Sequence, residues 1–237
     1  MNSQESANAS GANPPRPEPL ETVEVVTGPE PSAAIVWLHG LGADGHDFEP
    51  LVPQLSWPGS PVIRYVFPHA RVRPVTINGG MPMRAWYDIV SLSAGRDSDR
   101  AGIEDSIAQA TALIDRERER GIPASRIVVA GFSQGGAIAL HAALRYPKAL
   151  AGLVALSTYL LLESELGRLE PGANAQLPVF AAHGTADPMV PCFMGEAAAE
   201  YLNRRGHPVE WHRYAMPHAV CPEEVSDLLS WLRQRLA

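Results

Sequence analysis

A serine stands at the centre of the tract GFSQGG, which spans residues 131–136. The residues before it, 126–130, are apolar and β-branched, as in a short buried strand. The residues after it are rich in Ala, Leu and Ile and stop at Pro147, as a helix would. A serine in the sharp turn between strand and helix is the arrangement of a nucleophile elbow, in which Gly131 and Gly135 let the two elements approach closely. The pattern therefore predicts that Ser133 attacks a carbonyl carbon.

A serine hydroxyl needs a general base, and the base needs an acid that orients it. In this strand–turn–helix context the expected chain order is Ser, then Asp or Glu, then His. Asp187 follows the predicted strand 179–182, and His218 follows the predicted strand 209–214. Both would lie at the carboxyl edge of a parallel sheet, where ligands collect in open α/β folds. We predict a catalytic set of Ser133, Asp187 and His218, although Asp187 could simply form a turn and His218 could simply pack a loop.

Other titratable residues near these positions have plainer explanations. His39 and His183 each precede a glycine at a predicted strand end, so we expect them to fix turns by hydrogen bonding. Glu223 and Glu224 begin the last predicted helix and are explained as charges beside its positive end.

A tetrahedral intermediate needs two backbone N–H donors aimed at its oxyanion. One should be the amide of Gln134, the residue after the nucleophile. The other should come from the glycine-containing loop HGLGADG, residues 39–45, and we assign it to Leu41. A phosphate-binding role for this loop is excluded, because it has neither GxGxxG nor Gly-Lys-Ser/Thr.

The elements that must position these residues alternate along the chain. Strand patterns occur at residues 22–26, 33–38, 62–67, 127–130, 152–156, 179–182 and 209–214. Several are continuous apolar runs, which suit a sheet covered on both faces. Amphipathic helical patterns lie between them. The alternation predicts an α/β fold with a mostly parallel central sheet and helices on both faces.

Residues 68–89 have no helical or strand period. An ordered loop of this length is usually functional, so the segment is interpreted as a wall or lid beside Ser133. It would offer Met81, Met83 and Trp86 as apolar contacts for substrate. The alternative is that these side chains only fill the core beneath a long loop.

Composition limits the class of protein. The chain has 237 residues, which suits one domain, and its net charge of −7 gives no support to nucleic-acid binding. Residues 1–20 have almost no apolar content and are predicted to be a disordered tail before a single domain at 21–237. Neither a signal peptide nor a membrane-spanning run is evident, so we expect a cytoplasmic protein. Cys192 and Cys221 have no CxxC spacing and are expected to be unpaired thiols.

Five blocks resemble one known family: WLHGLGADGHDF, FPHARVRPVTINGGMPMRAWYDI, GFSQGG, HGTADPMVP and MPHAVCPEE. They are similar to the carboxylesterase and acyl-protein thioesterase family of α/β-hydrolases and occur in the family order. The resemblance implies the same nucleophile, acid, base and oxyanion donors as the residues do, and no cofactor or metal. It favours Trp86 and Met81 as substrate contacts, and a weak homodimer is in keeping with it.

These observations lead to a serine carboxylesterase that hydrolyses esters of short to medium acyl chains through an acyl-enzyme on Ser133. The alternative is an acyl-protein thioesterase or lysophospholipase acting on long chains, which needs a long apolar channel. The apolar stretch 153–162, with Tyr159 and Leu160, could line one, or could be ordinary core or a dimer contact. A third hypothesis is a binding module with an inactive hydrolase fold, although no catalytic candidate is missing. In each enzyme hypothesis the partner is an ester or acyl-thioester substrate.

Overall fold

A computed structural model describes residues 17–90, 99–168, 170 and 172–237. The strands in these residues are β1 Thr22–Val26, β2 Ala33–Leu38, β3 Ile63–Pro68, β4 Val72–Val75, β5 Met81–Arg84, β6 Ile127–Phe132, β7 Gly152–Leu156, β8 Val179–Gly184 and β9 Val209–Tyr214. The α-helices are α1 Arg100–Glu119, α2 Gln134–Arg145, α3 Glu163–Leu166, α4 Cys192–Arg204 and α5 Pro222–Leu236. Short 3₁₀ helices span Glu49–Leu55, Thr76–Asn78 and Ala124–Arg126.

The central sheet has seven strands in the order β1-β3-β2-β6-β7-β8-β9. Only β1 runs antiparallel to its neighbour, and the remaining pairs are parallel. The predicted α/β fold with a mostly parallel sheet is therefore confirmed. The carboxyl ends of β2, β6, β8 and β9 meet at one edge, so the loops that follow these strands lie close together.

Each face of the sheet packs against its own layer, and strand β2 shows how. Because successive strand residues point to opposite faces, Ala34, Val36 and Leu38 pack into a core with α1, α2 and α4. Ile35 and Trp37 point the other way, into a core with α5 and the 3₁₀ helix Glu49–Leu55. The predicted helices on both faces are present, and they explain why β2 is apolar throughout.

Residues 68–89 differ from the expected irregular loop. Strands β4 and β5 pair antiparallel in a two-stranded ribbon, separate from the main sheet. The two prolines of the ribbon, Pro74 and Pro82, face each other in register. Proline lacks the N–H that a ladder uses and is confined to edges of sheets, so the strand pattern was hidden in the sequence.

The start of the described chain packs against the domain. Leu20 is buried and joins the core on the side of α1. The predicted disorder of the tail concerns mainly residues 1–16, which lie outside the described residues. None of the helices in the described ranges is long and apolar enough to cross a membrane.

Candidate active site

Ser133 occupies a strained turn between β6 and α2. Its backbone has φ 54° and ψ −122°, a conformation that costs a non-glycine residue energy and persists only where neighbours hold it. The Ser133 N–H donates to the Leu156 carbonyl at 2.9 Å, and the Thr158 hydroxyl donates to the Ser133 carbonyl at 2.6 Å. The turn is therefore held from the neighbouring strand β7 and from the residues that follow it.

Two glycines make this turn sterically feasible, as the sequence predicts. A Cβ at Gly131 would lie 2.5 Å from the Gly135 carbonyl oxygen, and a Cβ at Gly135 would lie 2.5 Å from the Leu38 carbonyl oxygen. Both distances are far below van der Waals contact. Gly135 thus brings the first turn of α2 against the end of β2, where the loop of residues 39–45 begins.

Asp187 and His218 are brought together from consecutive strand ends. His218 Nδ1 lies 2.6 Å from Asp187 Oδ2, the geometry of a charge-assisted hydrogen bond. Asp187 Oδ1 accepts the backbone N–H groups of Met189 and Val190, each at 2.8 Å. The Asp187 side chain is fully buried, whereas that of His218 is 18% exposed. A buried carboxylate thus orients a histidine that remains accessible.

The Phe132 ring packs on the His218 ring, with centroids 4.7 Å apart. Phe132 directly precedes Ser133, so this contact holds the imidazole next to the nucleophile turn.

A cavity of about 420 Å³ opens beside these groups. Ser133, Gln134, Leu41 and His218 all line it. Its remaining walls are mostly apolar and include Ile77, Met83, Ile89, Phe132, Tyr159, Met189 and Val190. The structure therefore gathers the candidate nucleophile, base and oxyanion residues around one apolar cavity.

Gln134 is the first residue of α2, where backbone N–H groups have no partner within the helix. Its side chain ties α2 to the segment that follows the ribbon. Gln134 Oε1 accepts the Trp86 N–H at 2.8 Å, and Gln134 Nε2 donates to the Tyr87 carbonyl at 2.8 Å. Nothing in the sequence signals this bridge.

The predicted substrate contacts Trp86 and Met81 do not line this cavity in the described structure. Trp86 is 1% exposed, and its indole N–H donates to the His39 carbonyl at 2.8 Å, so it packs behind the cavity wall. Met81 is 61% exposed. Met83, two residues further along β5, is the methionine of this strand that lines the cavity. Of the apolar stretch 153–162, Tyr159 lines the cavity, whereas Leu161 and Leu162 belong to the core.

The two histidines expected to fix turns do so. His39 Nδ1 lies 2.7 Å from the Gly40 carbonyl, and His39 Nε2 accepts the Ala70 N–H at 3.0 Å. Burial lowers the pKa of His39 to about 4, so this ring is neutral at physiological pH. His183 Nε2 lies 2.8 Å from the Val190 carbonyl.

Glu224 differs from the expected solvated charge at a helix start. It is the third residue of α5, and both of its carboxyl oxygens are buried. Burial raises the pKa of Glu224 to about 8, with partial opposition from the Cys221 backbone N–H. Glu224 is therefore largely protonated at neutral pH. The exposed neighbour Glu223 keeps the role of a charge in the first turn.

Cys192 and Cys221 are free thiols. Within the described ranges, no group of three His, Cys, Asp or Glu residues is arranged to hold a metal ion.

The fold and the turn around Ser133 define a serine hydrolase of the α/β-hydrolase class. Residues 20–236 match the model of the phospholipase/carboxylesterase family. Acyl-protein thioesterase 1 of Mycosarcoma maydis is 39% identical over 224 residues, covering 88% of this chain and 93% of the relative. The chain belongs to the phospholipase/carboxylesterase family.

Solved structures of similar sequence have the same fold. Zea mays acyl-protein thioesterase 2 superposes with a TM-score of 0.80 at 31% identity, covering 92% of this chain and 100% of that one. Arabidopsis thaliana SOBER1 superposes with a TM-score of 0.79 at 32% identity, covering 86% and 99%. The names of these relatives favour the acyl-protein thioesterase alternative over the carboxylesterase expected first from the sequence.

Proposed function

We propose that this chain is an acyl thioesterase that removes long acyl chains from thioesters, with Ser133, His218 and Asp187 as its catalytic residues. The observation that carries the proposal is the apolar cavity of about 420 Å³, which has Ser133 and His218 in its wall. A cavity of this kind suits an acyl chain, because each buried methylene contributes about 0.8 kcal/mol. The naming of its relatives as acyl-protein thioesterases supports the same conclusion.

In the proposed reaction, Ser133 Oγ attacks the thioester carbonyl while His218 Nε2 takes the hydroxyl proton. The N–H groups of Leu41 and Gln134 stabilise the oxyanion. The C–S bond then breaks, and His218 returns the proton to the departing thiolate. Water, deprotonated by His218, attacks the acyl-enzyme and releases the fatty acid and Ser133. Asp187 holds the imidazole through Nδ1 and stabilises its positive charge.

The test is kcat/KM across a thioester series with acyl chains from two to sixteen carbons. If the chain enters the cavity, kcat/KM rises about fourfold per methylene until the cavity is filled. A maximum at acetyl or butyryl would contradict the proposal and restore the short-chain carboxylesterase. Matched oxygen esters, run in parallel, distinguish thioester preference from general ester hydrolysis.

Ser133→Ala is the control for the nucleophile. We expect kcat to fall by at least about a thousandfold, because the acyl-enzyme can no longer form. A fluorophosphonate probe should label the wild-type protein and not the variant. Unchanged turnover in a folded Ser133→Ala protein would end the proposal.

A further inference from the structure

A second buried imidazole faces the carboxyl group of Asp187. His183 Nε2 lies 3.4 Å from Asp187 Oδ2, the same oxygen that bonds His218 at 2.6 Å. The side chains of His183 and Asp187 are both fully buried. One carboxylate oxygen therefore lies between two histidines, of which only His218 lines the cavity.

The protonation of His183 follows from its surroundings. Its Nε2 faces the Val190 carbonyl at 2.8 Å, so this nitrogen must carry the hydrogen. Its Nδ1 is buried without a partner among the described residues, so that nitrogen carries none. Burial lowers the pKa of His183, which keeps the ring neutral. The single N–H of His183 thus points toward both Val190 O and Asp187 Oδ2.

Helix α4 fixes the ring from its other side. A Cβ at Gly195 would overlap His183 Nδ1, so the absence of a side chain there is what admits the ring. Helix α4 therefore lies directly against the His183 ring at position 195. The titratable groups that interact with His183 are Asp187 and His218, and Cys192 at the start of α4 interacts with Asp187.

We propose that His183 is a positioning residue for the reaction: it holds Asp187 Oδ2 toward His218 and fixes the loop that brings Val190 to the cavity. The two N–H groups of Met189 and Val190 anchor only Oδ1. Without His183, Oδ2 would keep only His218, and rotation of the carboxyl group would be less restricted. The inference rests on the proposed function, because it concerns the acid of the same catalytic set.

The chain contains a matched control in His141. Its ring is also fully buried, with Nε2 2.8 Å from the Leu161 carbonyl and Nδ1 without a partner among the described residues. Burial lowers the pKa of His141 as well, to about 4. His141 differs from His183 in having no contact with Asp187. Replacing either histidine by Leu removes a hydrogen bond between an imidazole and a backbone carbonyl. Only the replacement of His183 also removes a contact with Asp187.

The experiment compares His183→Leu, His183→Gln and His141→Leu. We expect His183→Leu to lower kcat about tenfold or more with KM within about twofold of wild type. His183→Gln, whose Nε2 can take the place of the imidazole Nε2–H, should recover most of kcat. His141→Leu should lower stability and leave kcat unchanged. An unchanged kcat in His183→Leu, or an equal loss in His141→Leu, would overturn the inference.

Proton NMR tests the inference without turnover. The Nδ1 proton of His218, in its 2.6 Å bond to Asp187, should resonate far downfield in the wild type and in His141→Leu. It should move upfield or broaden in His183→Leu, and an unchanged resonance would contradict the positioning role. If His183→Leu does not fold, Gly195→Ala is the second variant, because its methyl group would displace the His183 ring from the side of α4. It should lower kcat and shift or broaden the His218 resonance in the same way. A wild-type protein that shows the NMR signal and no hydrolysis would refute the proposed function and leave the role of His183 standing.

Discussion

The two walls of the cavity are built in different ways. The wall that carries Ser133 is made mainly of backbone: a strained turn, glycines in close contact with neighbouring carbonyls, and a hydrogen bond to strand β7. The wall formed by the β4–β5 ribbon meets the cavity through side chains, chiefly Ile77 and Met83, while Met81 in the same ribbon is exposed. We infer that backbone sterics fix the geometry of the proposed catalytic groups, whereas side chains of the ribbon shape the proposed acyl-binding cavity.

The largest expected effect breaks the backbone wall. Gly135→Ala places a methyl group against the carbonyls at the end of β2, so the turn, the helix start or the loop of residues 39–45 must shift. A displacement of about 1 Å in the catalytic groups costs about a hundredfold in rate, and we expect kcat to fall at least that far for every acyl length. Turnover of short and long thioesters measures it.

Gly172→Ala is the matched control, because a Cβ at Gly172 meets nothing within 4 Å. It should leave turnover unchanged. A Gly135→Ala enzyme with near-normal kcat would contradict the inference that backbone sterics fix the geometry of the proposed catalytic groups.

A smaller and selective effect is expected from the ribbon wall. Met83→Ala removes an apolar contact from the cavity, so kcat/KM for long acyl chains should fall about fivefold to tenfold while acetyl thioesters are nearly unaffected. Met81→Ala, from the exposed position of the same strand, should change neither. Equal losses for short and long chains in Met83→Ala would show that the ribbon also supports the chemistry.

The smallest effect on turnover is expected at the start of α5, below the loop that carries His218. Glu224 keeps its proton in the folded state up to about pH 8, whereas in the unfolded chain it releases the proton near pH 4.5. The unfolded state therefore binds fewer protons between these pH values, and this carboxyl lowers stability as pH rises through that window. Glu224→Gln cannot ionise at this position, so its stability does not fall in this way. The unfolding free energy of the variant minus that of the wild type should therefore increase from pH 5 to pH 8 by up to a few kcal/mol.

Chemical denaturation of wild type and Glu224→Gln at several pH values measures this difference. A loss of stability that the Gln amide causes equally at every pH does not affect the result, because the prediction concerns only the change with pH. A difference that is flat from pH 5 to pH 8 would mean that Glu224 is charged in the folded protein. We expect kcat at pH 7 to be unchanged, because Glu224 is largely uncharged at this pH and Gln has nearly the same size and shape.

Much of the fold could be predicted because its strands are continuous apolar runs between clear turn residues. The observed bounds of β1, β2, β7 and β9 equal the predicted ranges, and β6 and β8 extend two residues further toward the loops. The meeting of Asp187 and His218 was predicted from chain order alone, and the close packing at Gly131 and Gly135 followed from the pattern around Ser133. These features depend on local sequence and on the geometry common to parallel sheets.

The remaining features depend on contacts between distant segments. Which methionine lines the cavity, Met81 or Met83, depends on how the β4–β5 ribbon packs against the domain. The sequence does not show this ribbon, because Pro74 and Pro82 are untypical of paired strands. The burial of Glu224 could not be foreseen, since a glutamate in the first turn of a helix is ordinarily solvated. The bridge from Gln134 to the backbone of Trp86 and Tyr87 joins residues 47 and 48 positions apart, with no local signature.

The bridge from Gln134 depends on the backbone of the ribbon segment and not on its side chains. The side chain of Gln134 holds the ribbon segment only by main-chain atoms, the Trp86 N–H and the Tyr87 carbonyl. Side chains earlier in the ribbon take no part in this bridge, although Arg73 also pairs with Asp99 and Asp105. We expect that replacing residues 72–84 by those of relatives, with Arg73 and the junction at residues 86–87 kept, changes the acyl preference and leaves the turn around Ser133 in place.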